Sequence, residues 1–401
     1  MIVPLCTKNL RDSALYVSAL RDSAFKNFML QKLNILLVDC APFTGGAQES
    51  FWSLASGLSH TDCKPFLLAA DHSPNGIISR AQASSLPHQS FTARHWPASI
   101  KGLFQYYQDR RHFLPLFDQT AADFSPSLIH ANCIRSALLL PEDCNLPLLL
   151  HDRDITFPFF FTRLVANRFP QLHIVAISPL VAKKWQPLLP EDRIHIIPNG
   201  FDLQTITNTR PSVNHDSASF RILQVADFSP WKRHDRFLTL LSQLKPQIPN
   251  LKAVIKGRIR DAQGEHLLTS LKKDSSKLGL DNILSFNNAD ESALPEIAAA
   301  DVVVSCSDGE PFGRTIIEAL ALGKPVVACR GGGIDALLAE CPAYSAVQPE
   351  KLQETVLQWL PPEKRRSTAE HAIHAAQTFS IERHIAEIIG IYKNIAYVNN
   401  G

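Results

Sequence analysis

SCSDGEPFGRTIIEALALGKPVV, residues 305–327, holds three signals in one stretch. The apolar run Val302–Ser305 predicts a strand, Arg314–Leu322 has helical spacing, and Pro325–Cys329 is a second strand. Between the first strand and the helix lies a loop with Gly309 and Gly313. A strand, a glycine loop and a helix beginning Gly313-Arg314-Thr315 place exposed N–H groups and a positive dipole end together, which makes an anion site. Gly313 has no side chain, so a phosphate can approach its backbone closely. Glu310 stands just before the turn and Glu318 eight residues later. Taken singly, such glutamates would merely favour a helix N-terminus. Together with the anion site, the carboxylates suit a ligand that carries both phosphates and hydroxyls. A sugar nucleotide is such a ligand.

The strand–turn–helix alternation extends outward over most of the chain. Strand-like runs at Asn34–Cys40, Lys64–Ala70, Ser127–Ala131, Pro147–His151, His173–Ile177 and Arg193–Ile197 alternate with helical spacing at Ala47–Leu58 and Ser99–Phe117. The period lapses near 204–218, in TITNTRPSVNHDSAS (residues 205–219), and restarts at Phe220. The expected class is α/β: two doubly wound Rossmann-like domains, 31–205 and 206–378, facing each other across a cleft. A last helix, 379–401, is expected to return to the first domain. In such sheets ligands bind beyond the carboxyl ends of the strands, so loops directly after strands are the places to look.

The 401 residues are too many for one ordinary core, and 45% hydrophobic with 19% charged residues argues against disorder. A net charge of +2 demands no nucleic-acid partner. The eight cysteines form no CxxC pair and read as free thiols of a reducing, cytoplasmic compartment. Residues 1–30 carry LRDSA twice, at Leu10 and Leu20, and read as a poorly packed extension or an overlong start ahead of Met29. They lack the apolar core and cleavage site of a signal peptide. Ser99–Phe117 mixes aromatic with basic residues. It reads as a domain helix, with weak contact to an anionic membrane surface as the sharper alternative.

The 305–327 segment resembles the E-x7-E signature of retaining GT-B glycosyltransferases of the family 4, or group 1, type. That large family includes relatives of sucrose and glycogen synthases. The resemblance implies that Glu310 contacts hydroxyls of the transferred sugar, that Glu318 contacts the ribose, and that Gly313, Arg314 and Thr315 line the diphosphate. It extends to the glycine loop Gly45-Gly46, to SLIHANCIRS (127–136), IVAIS (174–178), IIPNGFD (196–202) and GGGID (331–335), and to the terminal FSIERHIAEIIGIY (379–392). His151, at a strand end, is where members of the family often hold a histidine at the donor sugar and reaction centre. The implied reaction moves a sugar from a nucleotide-sugar donor to a hydroxyl acceptor with retention of configuration. It needs no cofactor and no metal.

Two departures stand out. Asp335 replaces the glutamate usual in GGxxE. After the first strand of the second domain, Ala226-Asp227 replaces the usual glycine-arginine pair, while Lys232 is kept. Lys232 and the helix end then carry the charge of the leaving phosphates, and Arg258 is expected to supply the missing cation. Asp152-Arg-Asp154 has the D-x-D form of a metal site of another glycosyltransferase fold and reads as a chance loop triplet. The rivals are a sugar-nucleotide epimerase of the same fold, and a binding protein without turnover, suggested by Asp227.

Overall fold

The structure is a computed structural model that describes residues 32–94, 96, 100–211, 219–288 and 292–400. The expected extension 1–30 lies outside the described residues, as do residues 212–218 of the expected linker. The chain forms two compact units. One comprises the chain up to Asp152, Pro158–Val175 and the chain from Ile385 onward; the other comprises Arg153–Phe157 and Ala176–His384.

In the first unit the order is β1 (Asn34–Asp39), α1 (Gly46–Leu58), β2 (Lys64–Ala69), α2 (Ile77–Ala83), β3 (His88–Ser90), α3 (Ile100–Phe124), β4 (Leu128–Ala131), α4 (Ile134–Leu139), β5 (Leu148–Asp152), α5 (Phe159–Arg168) and β6 (Leu172–Ala176). These strands lie in the order β3-β2-β1-β4-β5-β6, in a sheet that ends on β7 (Ile194–Ile196). β1 pairs in parallel with β2 and with β4. Ile35 to Asp39 are all buried, which is why NILLVD reads as a continuous apolar run rather than an alternating one: helices cover both faces. Phe51, Leu54, Ala55 and Leu58 form the buried stripe of α1. Gly57 on that helix lets another helix come close, since a Cβ there would stand 2.1 Å from Ile385 Cδ1.

The second unit continues with α6 (Pro179–Ala182), β7, α7 (Leu203–Thr207), β8 (Phe220–Val225), α8 (His234–Leu244), β9 (Leu251–Gly257), α9 (Ala262–Lys277), β10 (Leu284–Asn288) and α10 (Leu294–Ala299). Then come β11 (Val302–Ser305), α11 (Arg314–Ala321), β12 (Val326–Cys329), β13 (Tyr344–Val347), α12 (Leu352–Leu357), α13 (Pro362–Gln377) and α14 (Ile381–Asn400). The sheet order is β10-β9-β8-β11-β12-β13. Phe237, Leu238, Leu241 and Leu244 of α8 are buried against Ile222, Ile255, Val302 and Val304 in one core. Each such side chain, fully buried, is worth about 1.5–3 kcal/mol.

The polar stretch expected as a linker opens inside helix α7, and the second unit already begins at Ala176. The terminal helix is present as α14, and from Ile385 onward it belongs to the first unit. Among the described residues no helix is long and apolar enough to cross a membrane.

Candidate active site

Strand order locates the site. In the second unit the chain lays β9 and β10 on one side of β8 and then crosses to set β11 on the other. The loops after β8 and β11 therefore diverge at a switch point, where an open α/β sheet leaves a crevice. Lys232 lies on the first loop and Glu310 on the second. Asp308 N–H donates to Trp231 O at 2.9 Å, which joins the loops backbone to backbone. Lys232 Nζ donates to Glu310 Oε2 at 2.6 Å, with side chains 15% and 18% exposed, so the pair is sheltered yet reachable. Lys232 Nζ also lies 3.8 Å from the centroid of Trp231, an exposed aromatic ring.

Glu310 is fixed by its backbone. Its carbonyl accepts from Gly333 N–H at 2.7 Å, and the next carbonyl, of Pro311, accepts from Ser178 Oγ at 2.7 Å. Gly333 must be glycine at this junction, because a Cβ would fall 2.1 Å from Pro311 O. Gly313 caps α11 with φ of +93°, in the left-handed region, and a Cβ there would meet Ile316 Cδ1 at 2.7 Å. This bend turns the chain into α11 at Arg314 and Thr315. Arg314 packs over the Phe201 ring at 4.6 Å and approaches Glu318 Oε1 at 3.7 Å, one turn along the same helix.

The two departures acquire structural meaning. Asp227 is held by Arg258, whose Nε donates to Oδ1 at 3.2 Å, and by Arg260, whose Nε donates to Oδ2 at 2.5 Å. Burial pushes this carboxyl up, but the Arg260 and Arg258 guanidiniums prevail and hold it below the ordinary range. Asp335 closes its own loop: Oδ2 accepts from Gly331 N–H at 2.8 Å and Gly332 N–H at 3.1 Å, and Oδ1 accepts from Tyr344 O–H at 2.6 Å. Arg233, adjacent to Lys232, bridges Asp235 and Asp308.

In the first unit, β1 and β4 flank the corresponding switch point. Gly46 opens α1 after β1. Gly45 caps that helix with φ of −132°, and its N–H donates to Gln48 Oε1 at 3.1 Å. Thr44 Oγ1 donates to the buried Asp71 carboxylate, which anchors the loop. His151, at the end of β5, is wholly buried. Its Nδ1 lies 3.3 Å from His130 Nε2, and His130 Nδ1 lies 2.5 Å from Tyr392 O–H on α14. Burial pushes the Tyr392 phenol well up, so it stays protonated. Asp152 is buried, whereas the half-buried Asp154 accepts from Thr156 N–H at 2.6 Å and Thr156 Oγ1 at 2.7 Å in a local turn.

Lys232, Glu310, Gly313, Arg314, Thr315, Glu318 and Arg258 thus all belong to the second unit, and Gly45, Gly46 and His151 to the first. Sequence reading missed Trp231, His130 and Tyr392. The only signal for Trp231 was its place beside Lys232; Tyr392 joins the histidines across 262 residues of chain.

Two Rossmann-like α/β halves with these strand orders define the GT-B fold. Residues 205–376 match the family model of glycosyl transferases group 1. The mannosylfructose-phosphate synthase of Agrobacterium fabrum is 32% identical over 157 residues, 36% of this chain and 34% of that protein. A D-inositol 3-phosphate glycosyltransferase of Segniliparus rotundus is 26% identical over 213 residues, 50% of this chain and 47% of its own. The chain thus spans about a third to a half of the length of these relatives. Anabaena HepE, solved with UDP and glucose, superposes with a TM-score of 0.73 at 23% identity, covering 90% of this chain and 100% of that one. A glycosyltransferase of Rickettsia africae gives 0.75 at 19% identity, covering 91% and 98%.

Proposed function

We propose that this chain transfers a glycosyl group from a nucleotide-diphosphate sugar to a hydroxyl acceptor, with retention at the anomeric carbon and without a catalytic metal. The observation that carries the reading is the Lys232–Glu310 pair at the β8/β11 switch point, beside the glycine-capped start of α11. An incoming diphosphate takes Lys232 and the N–H groups of Arg314 and Thr315. Glu310, relieved of its ammonium partner, accepts from sugar hydroxyls, and Glu318 accepts from the ribose. Arg258 adds positive charge near the phosphates. In the first unit, the Gly45-Gly46 loop and the buried His151 are the candidates for donor contacts. As the bond to the sugar breaks, the departing phosphate takes the acceptor proton on the same face, while fixed cations and N–H dipoles stabilise its charge. The UDP and glucose in the Anabaena HepE complex favour a UDP-sugar as the first donor to try.

A cytoplasmic setting agrees with the free thiols among the described residues. Contact with the inner membrane face draws support from apolar side chains left exposed: Ile100, Leu103, Phe104 and Tyr107 on α3, and Phe160 and Leu164 on α5. The second reading, binding without turnover, is favoured by one feature, Asp227 within the phosphate-facing loop.

Titration with UDP, GDP and their sugars, followed by mass analysis of products over an acceptor panel, tests the proposal. Saturable binding lost in Lys232→Ala, with a sugar-bearing product, supports transfer; binding with no product supports the second reading. Absence of nucleotide binding at millimolar concentration defeats both. EDTA-treated protein should keep most of its rate. Complete loss restored only by manganese would turn attention to Asp152 and Asp154.

A further inference from the structure

β11 and β12 pair in parallel with Val303 opposite Val326, Val304 opposite Val327 and Ser305 opposite Ala328. One step on, the register sets Cys306 opposite Cys329. Val302, Val304, Cys306, Val327 and Cys329 all join the same buried cluster, so both thiols point to one face of the sheet. Neighbouring strands run about 4.7–4.9 Å apart, within the roughly 4.4–6.8 Å between Cα atoms that a disulfide spans. The register therefore brings the two thiols together within one buried cluster. Arg236 reaches them from α8: its NH1 lies 3.4 Å from Cys329 Sγ and donates to Cys306 O at 2.7 Å.

The pair is chemically asymmetric. The Cys306 thiol, and then Arg236, bring Cys329 down to about 7 against the opposing effect of burial, whereas burial pushes Cys306 well up. Cys329 ends β12, between β11 and β13, and keeps 7% exposure, while Cys306 is wholly covered. Of the two sulfurs, Cys329 is therefore the one a peroxide meets first, and Cys306 the thiol that resolves it.

We propose that Cys306 and Cys329 form a modification site, a dithiol that a peroxide closes to a reversible disulfide between β11 and β12, which shifts the loop carrying Glu310. The Cys329 thiolate attacks one peroxide oxygen; the S–O bond forms, the O–O bond breaks and hydroxide leaves, leaving a sulfenic acid. Cys306 sulfur then attacks Cys329 sulfur, the S–S bond forms and the sulfenic oxygen departs as water. Two thiols and one hydrogen peroxide give one disulfide and two waters. The Glu310 loop responds because the segment carrying it and one of its backbone supports each follow one of these cysteines. Cys306 opens the segment that leads to Glu310, and Cys329 precedes the glycine loop whose Gly333 N–H holds Glu310 O. Oxidation also removes the thiolate from Arg236, which shares Asp308 with Arg233.

The first unit supplies an internal comparison. Val38 pairs with Ala131, so the parallel register carries Cys40 toward Cys133 two residues further on. Their shared neighbour is a hydroxyl, Ser136 Oγ, rather than a guanidinium.

The test uses the full chain, reduced, desalted and exposed to a small excess of hydrogen peroxide at pH 7. It is then alkylated, digested without reductant and mapped by mass spectrometry. The expected result is a linked peptide pair containing Cys306 and Cys329, abolished by dithiothreitol. Formation should be several-fold slower in Arg236→Gln, and Arg236→Lys should restore part of the rate. Recovery of both residues as alkylated thiols, at a dose that oxidises Cys133, overturns the proposal. So does a sulfinic acid at Cys329 with no cross-link. A second readout rests on the reading of the site given above: the oxidised protein should bind UDP at least about fivefold more weakly, and in Cys306→Ser peroxide should leave UDP affinity unchanged. Failure of the reduced protein to bind UDP would count against that reading alone, since mapping decides the disulfide. Unchanged affinity after complete cross-linking would refute the coupling to Glu310.

Discussion

At β8 and β11 the second unit sets an ammonium against a carboxylate at 2.6 Å, both partly exposed; at β4 and β5 the first unit sets two imidazoles in line with a phenol, all buried. The scaffold is the same in both places: a central parallel strand pair and loops leaving its carboxyl end. The dielectric surroundings differ. A salt bridge with access to solvent can trade its partner for a ligand, because the ligand's charge replaces the one displaced. A sealed chain of buried donors and acceptors has no such exchange open to it at low cost, and it holds orientation instead. The difference teaches that a partly exposed ion pair stays open to exchange while a buried chain of hydrogen bonds keeps a geometry.

The largest expected effect sharpens this contrast through acidity. His234 and His384 both lie in the second unit, and burial is the main reason each sits at about 4. Unfolded histidine titrates near 6.5, so the unfolded chain takes up these protons first as pH falls. Stability is therefore fully present above about pH 6.5 and drains away toward pH 4, by about 3 kcal/mol per histidine over the window. Thermal melts across pH 7 to 4 should show it, and His384→Gln, which keeps a donor for Pro198 O, should flatten the slope. An unchanged slope would mean that this histidine is not held neutral.

Next in size are the exchanging charges. Glu310→Gln should lower turnover by roughly 100-fold while leaving UDP affinity within about threefold, and Lys232→Ala should cost about 1.5–3 kcal/mol of UDP affinity. Calorimetry and initial rates separate the two. Equal, negligible effects would erase the distinction between a responsive and a fixed region.

Smaller effects come from the periphery of the same site. Glu318→Gln should weaken UDP about tenfold, through loss of an ionised acceptor for a ribose hydroxyl. Arg258→Ala should cost only about two- to fivefold, because Asp227 already engages its guanidinium. A loss as large as that of Lys232→Ala would make Arg258 a direct phosphate ligand. The smallest effect belongs to the first unit's surface. Phe104→Ser with Phe160→Ser should reduce sedimentation with anionic liposomes severalfold. Arg110 is a poor probe there, since it reaches Leu140 O and Glu142. Indifference to lipid charge in the unaltered protein would remove the membrane contact.

Much of the fold was legible because the core strands are long apolar runs and the helices keep period. The face Phe237, Leu238, Leu241 and Leu244 is buried as the spacing requires. Short strands were not: His88–Ser90 and Tyr344–Val347 lie at or near a sheet edge, and three or four residues carry no readable alternation. The glycine loops and the α11 start could be read from local chemistry. The meeting of Lys232 with Glu310 could not, since 78 residues separate them and only the sheet order brings their loops together. Asp335 shows the converse. Its place in GGGID was plain, but its role as an acceptor for its own loop and for Tyr344 depends on where β13 lies.

The double anchoring of the Glu310–Pro311 peptide, by Gly333 N–H on one side and Ser178 Oγ on the other, sets a thermodynamic signature for binding. A backbone clamped before the ligand arrives has already lost its freedom in the folding step, where ordering one residue costs about 1–2 kcal/mol. That charge does not fall again on complex formation, so the entropy of association should reflect the ligand and its released water more than any loop settling around it. Gly333→Ala would undo this. With Pro311 O displaced by the new methyl group, the loop would have to be ordered anew at every encounter, and the loss would show as a less favourable binding entropy.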